Sequence, residues 1–190
     1  MRKTIATALG WVLLSVAASC PLALAQQNNN RDLPIYSSIR EIMDSIVDPS
    51  ADVLWGAVGT IVDKQQGIRE LLPKTQQEWL DVRRAAVRMV EAGNLLMMPG
   101  REAAPRGSKS ETPGVELEPP QITALINRNR RGFDGFARQL QQAGAQALRA
   151  SDARNGGMLM DAGERMENAC ESCHQAFWYP SVSAPQSAGR

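Results

Sequence analysis

Residues 158–177 read MLMDAGERMENACESCHQAF, and their spacing sets the fold class. Leu159, Ala162, Met166, Ala169, Cys173 and Phe177 recur at steps of three and four, the stripe of an amphipathic helix. Pro180 stops the run, and Asn155, Gly156 and Gly157 separate it from the segment before. Other segments repeat the pattern. A helix is predicted from Thr75 to near Pro99: Thr75 and Glu78 stand in capping-box spacing, and Trp79, Val82, Ala86, Met89, Gly93 and Leu96 share one side. Residues 131–150 align Phe133, Phe136, Leu140, Ala143 and Ala147, after a short helical piece over 121–126. Residues 38–63 open on Ser38 and Glu41, again a capping box, and carry Ile39, Ile42, Met43 and Ile46, then Val53, Ala57, Val58 and Ile61. Pro49 interrupts that run, and Asp48 before it can cap a restarted helix, so one long helix with a kink or break is expected. Alternating apolar runs are absent and aromatics make up only 5% of the chain, which leaves little signal for strands. The expectation is an all-α four-helix bundle. Residues 99–120, rich in Pro, Gly and charge, read as a long linker, acceptable as a crossover between two bundle helices.

The chain has 190 residues and reads as one domain preceded by a targeting segment. Arg2 and Lys3 form a positive head, residues 5–18 are largely apolar, and Ala23-Leu24-Ala25 fits a cleavage site. Residues 1–25 therefore read as a secretory signal peptide, too short in its apolar part to span a membrane. Residues 26–37 follow as a flexible tail, 38–180 as the domain, and 181–190 as a second flexible tail. Cys20 has two readings: it is discarded with the signal, giving a periplasmic protein, or it is lipidated as the first residue of a periplasm-facing lipoprotein anchored to the membrane. The chain holds 21 Lys+Arg and 20 Asp+Glu; residues 1–25 carry two of the former and none of the latter, so the remainder has a formal charge of −1. That balance gives no electrostatic case for nucleic acid or for an anionic membrane surface.

After cleavage only Cys170 and Cys173 remain, and with His174 they read C-x-x-C-H, the attachment pattern for a c-type haem. On a helix these positions share one face, so two thiols can bond one edge of a porphyrin while the imidazole points beneath the iron. A structural zinc site wants four ligands, and the remaining chain has two cysteines and a single histidine. A thioredoxin-like pair belongs at the start of a helix in a βαβ setting, whereas this pair ends one. A plain disulfide would close a tiny loop and leave His174 unexplained. One covalent haem c held by Cys170 and Cys173, with His174 as axial ligand, is the reading that uses all three residues.

With this motif near the end of a four-helix chain, the sequence resembles the class II c-type cytochromes, the cytochrome c-prime group, over residues 38–179. The resemblance implies an antiparallel four-helix bundle whose last helix binds the haem and whose first helix covers its other face. It places Met43 where some members supply a sixth ligand, which would raise the potential. Arg40 precedes Met43 by three residues, where members often carry an arginine four residues ahead; it is a candidate partner for a haem propionate. Phe177 matches an aromatic frequent in the group, while Trp178 stands where many members have Arg or Lys. The expected activity is one-electron transfer with redox partner proteins; the sequence presents no nucleophile–base constellation, second metal site or phosphate-binding loop, so no enzymatic centre is expected. The alternatives are a five-coordinate haem that binds NO or CO, and a haem subunit of a larger oxidoreductase. Members often form homodimers through their first two helices.

Overall fold

A computed structural model describes residues 33–65 and 67–180. The predicted signal peptide, Cys20 and the C-terminal tail lie outside the described residues, as does most of the N-terminal tail. The described part is mostly helical. No helix among the described residues is long and apolar enough to cross a membrane.

The first helical segment comprises α1 (Ile39–Ile42), a wide π turn (Met43–Val47) and α2 (Asp48–Gly56). Its start is fixed as the sequence implies: Ser38 N donates to Glu41 Oε2 at 2.8 Å, and Glu41 N to Ser38 Oγ at 3.3 Å. The region around Pro49 differs from expectation. Asp48 does not cap a new helix, because the backbone stays helical through Val47 and Asp48. Proline lacks an N–H and its ring collides with the carbonyl four residues back, and a wide turn just ahead of it relieves that collision.

The helix also ends earlier than its apolar pattern suggests. Gly59–Asp63 (β1) pairs antiparallel with Gly67–Leu71 (β2), in register Ile61↔Arg69 and Val62↔Ile68. The expected helix over 57–63 is thus a turn at Ala57 and Val58 followed by a strand over 59–63, and the expectation of no strands fails here. Gly59 takes a φ of +148° that disfavours a helix, and Ile61, Val62 and Ile68 are β-branched residues that suit a pleated ribbon. Gly67 turns the chain back at φ +75°.

The long helices are α3 (Gln76–Leu96), α4 (Pro119–Arg128), α5 (Arg130–Asp152) and α6 (Gly156–Phe177). Thr75 and Glu78 cap α3 reciprocally, Asn129 Oδ1 accepts from Gly132 N at 3.2 Å at the head of α5, and Asn155 Oδ1 accepts from Met158 N at 3.0 Å at the head of α6. Helix α5 packs on α3 along one side and on α6 along the other, while α2 packs on α3 and α6. The α3–α5 approach is close: a Cβ on Gly93 would stand 2.7 Å from Gln141 Cβ, and one on Gly144 would stand 3.0 Å from Val90 N.

The segment between α3 and α4, expected as a structureless linker, is an ordered strap that lacks helix but is well anchored. Arg101 is only 4% exposed; its guanidinium donates to Leu95 O at 3.2 Å and to the Ser37 carbonyl. The strap's Glu102 and Ala103 carbonyls each accept at 2.9 Å from Ile39 N and Arg40 N, two amides that α1 cannot satisfy itself. Leu117 N donates to Trp178 O at 2.9 Å, tying the strap to the end of α6.

Candidate functional site

A cavity of about 430 Å³ opens among the first helical segment, α5 and the C-terminal half of α6. Met43, Val47, Asp48, Ala51, Asp52 and Trp55 line it from the first segment, at i, i+4 spacing along one helix face. Leu96 closes it from α3, and Phe133, Phe136, Ala137 and Leu140 from α5. Helix α6 contributes Ala169, Cys170, Cys173 and His174, and Trp178 follows. The sequence motif and Met43 therefore meet in one chamber. Arg40 is not among its walls: its guanidinium lies 3.3 Å from Glu111 Oε1 and 3.4 Å from Lys109 O on the strap.

Phe177, 1% exposed, packs edge-on against Phe133 at 5.5 Å and Phe136 at 6.1 Å between ring centroids. The His174 ring lies 5.9 Å from that of Trp178 and 6.2 Å from that of Tyr179. Tyr179 Oη donates to Glu171 Oε2 at 2.7 Å, and Gln175 Nε2 donates to Glu171 Oε1 at 2.7 Å, so the Tyr179 ring beside His174 is tied back to a carboxylate two turns earlier, on α6.

Burial sets the protonation of the polar groups. It pushes the Cys170 thiol up to about 11, with the charges of Asp48 and Glu167 adding to it, and the Cys173 thiol up to about 12. Burial also lowers His174, against the pull of Glu171, Asp48 and Glu116, which favours the neutral imidazole. Asp48 is raised, first by burial and then by Asp44. The chamber thus presents two protonated, unpaired thiols and a neutral imidazole.

Among the described residues no three His, Cys, Asp or Glu side chains converge as a bare metal ion would require. An iron held by a porphyrin needs only one or two protein ligands, and this donor set fits that case. The volume lies within the range of about 300–1,000 Å³ usual for cofactor sites, and most of the walls are apolar, as in such sites.

Asp48, Asp52 and Trp55 are wall residues that the sequence reading did not single out for the site. Trp55 is 40% exposed at the rim and donates from Nε1 to Gly163 O at 3.2 Å. The signal for Trp55 was the step of four from Met43, through Val47 and Ala51; Asp48 and Asp52 stand one residue beyond two of those positions. Comparison with protein-family models, with curated proteins and with solved structures finds no match to this chain.

Proposed function

We propose that this chain is an exported mono-haem c-type cytochrome of the class II kind, an antiparallel four-helix bundle that carries single electrons between partner proteins in the periplasm. The observation that supports it most is the gathering of Cys170, Cys173, His174 and Met43 on the wall of one largely apolar chamber. Cys170 and Cys173 would hold the haem through thioethers, and His174 and Met43 would be the chain's ligands to its iron. When bound, the haem supplies a ferric–ferrous couple.

The chain's own groups tune that couple. A neutral His174 offers a free ring nitrogen, and the Trp178 and Tyr179 rings beside it limit its tilt. Phe133 and Phe136 line the chamber and pack on the buried Phe177, an apolar wall beside which nearby charges would act through a low dielectric. Asp48 and Asp52 at the wall add negative potential, which favours the oxidised state.

The test is direct. The full chain, signal peptide included, is produced in a bacterium able to attach c-type haem. The expected product is red, heavier than the polypeptide by one haem, and still coloured after denaturation in acid. A colourless protein of bare polypeptide mass, with both thiols open to alkylation, would overturn the proposal. In the oxidised protein a methionine–iron charge-transfer band marks the carrier, and a high-spin spectrum that responds to carbon monoxide marks a gas-binding haem instead.

A further inference from the structure

The wide turn at Met43–Val47 has a consequence for the residue at its head. Buried positions run Ile39 and Ile42 before the turn, then Val47, Ala51 and Leu54 after it. The step from Ile42 to Val47 is five residues, where an unbroken α-helix would step three or four. One extra residue is therefore stored between two anchored stripes. Such a residue can be stored at other places along a helix, and moving it by one position rotates the side chains it passes by about 100°. Where the turn sits decides whether Met43 faces the chamber.

Two features hold it where it is. Pro49 has no N–H to give, which favours a wide turn on its N-terminal side. Ser50 then acts on a carbonyl inside the turn: its Oγ donates to Ile46 O at 2.6 Å and accepts from Arg88 Nε of α3 at 3.1 Å. Ser50 is fully buried, and both the donor and an acceptor position of its hydroxyl are used. Helix α3 thus grips the turn through a guanidinium, a hydroxyl and a carbonyl in series.

We infer that Ser50 and Arg88 are positioning residues for Met43: together they pin the wide turn at Met43–Val47 and so aim the thioether into the chamber. The inference rests on the haem reading of that chamber. It goes further by naming what decides between a closed and an open iron.

The test uses haem-loaded protein and three variants. Met43→Ala is the reference for an open site: it should lose the methionine–iron charge-transfer band and bind carbon monoxide fully when reduced. Ser50→Ala and Arg88→Met, which leave Met43 in place, should weaken the band and raise the fraction reacting with carbon monoxide by about tenfold, the effect of losing one buried hydrogen bond. Arg88→Met leaves the buried hydroxyl untouched, so it decides the matter if Ser50→Ala does not fold. Wild-type spectra in both variants, with Met43→Ala altered, would overturn the inference. An unaltered Met43→Ala spectrum would also overturn it, by removing the ligand to be aimed, while leaving haem attachment intact. Colourless wild-type protein would overturn the proposed function and the inference with it.

Discussion

At the scale of single residues, Asp48 shows how a side chain can matter without touching the chemistry. Its carboxyl lines the chamber and acts on both Cys170 and His174. Removing that charge should make the reduced state relatively easier to hold. Asp48→Asn is expected to raise the reduction potential by on the order of tens of millivolts, measured by redox titration of the haem band. An unchanged potential would mean that Asp48 is solvated well enough to be silent. Gly93 gives a second residue-scale prediction. Alanine in mid-helix usually gains about 1 kcal/mol over glycine, but overpacking a close contact costs about 1–3 kcal/mol. Here the new methyl meets Gln141 Cβ and the Ala137 carbonyl at 2.7 and 3.1 Å, neither at the end of a flexible side chain. The clash should win, and Gly93→Ala should lower the melting temperature by about 2–4 °C. The Cys170–His174 cluster is legible in sequence because its members are chain neighbours on one helix turn. Asp52 and Trp55 reach the same chamber only through the register of another helix. Arg40, which the resemblance offered as a propionate partner, pairs with Glu111, 71 residues downstream on the strap, a contact that no local spacing announces.

At the scale of elements, helix starts are the most predictable feature and also the most sensitive to acid. Glu78 is held below the usual carboxylate value of 4.5 by the Thr75 and Lys74 amides and the Thr75 hydroxyl, and Glu41 is lowered by Ser38 in the same way. A carboxyl whose folded value lies below its unfolded one adds stability above the unfolded value, and that stability is lost as pH falls through the folded value. Melting temperature should therefore fall as pH drops below about 4.5. Glu78→Gln should melt lower than wild type at neutral pH and show a shallower acid limb; parallel limbs would mean that Glu78 is not part of the acid response. Capping boxes were readable because their partners stand three residues apart. The β1–β2 ribbon was not, since Val58 and Ile61 continue a helical stripe as well as they fit a strand. Gly56 and Gly59 were the signal against the helix. The wide turn had a sequence trace too, in Pro49 and in apolar residues at both Ile46 and Val47, which let the stripe shift by one. Nothing in the composition of residues 99–120 foretold an ordered strap, because its order comes from Arg101 and from backbone bonds to α1 that are remote in sequence.

At the scale of the whole molecule, the core is uneven. The α3–α5 seam is filled by small residues and glycine at close approach, with Ala85, Ala86 and Met89 fully buried. The region between the first segment and the C-terminal half of α6 contains the 430 Å³ chamber instead. Left unfilled, a dry void of that size would cost up to about 10 kcal/mol at roughly 24 cal/mol per Å³. That is an upper bound for a chamber open on one side, yet it rivals the total stability of a typical domain, about 5–15 kcal/mol. The proposed haem is thus part of the core as well as the reactive group. Cys170→Ala/Cys173→Ala, which removes both attachment points, should keep most of the helical signal of the α3–α5 seam. It should lose the packing of the first segment on α6 and melt over a broader range. Amide exchange would localise the loss: residues 43–56 and 163–177 should exchange much faster than in haem-bearing protein, and the facing parts of α3 and α5 much less so. If the double variant melted as sharply as the haem-bearing protein, with protection in α2 and α6 unchanged, the chamber would be stable without its cofactor, and the group's part in holding the fold would be small.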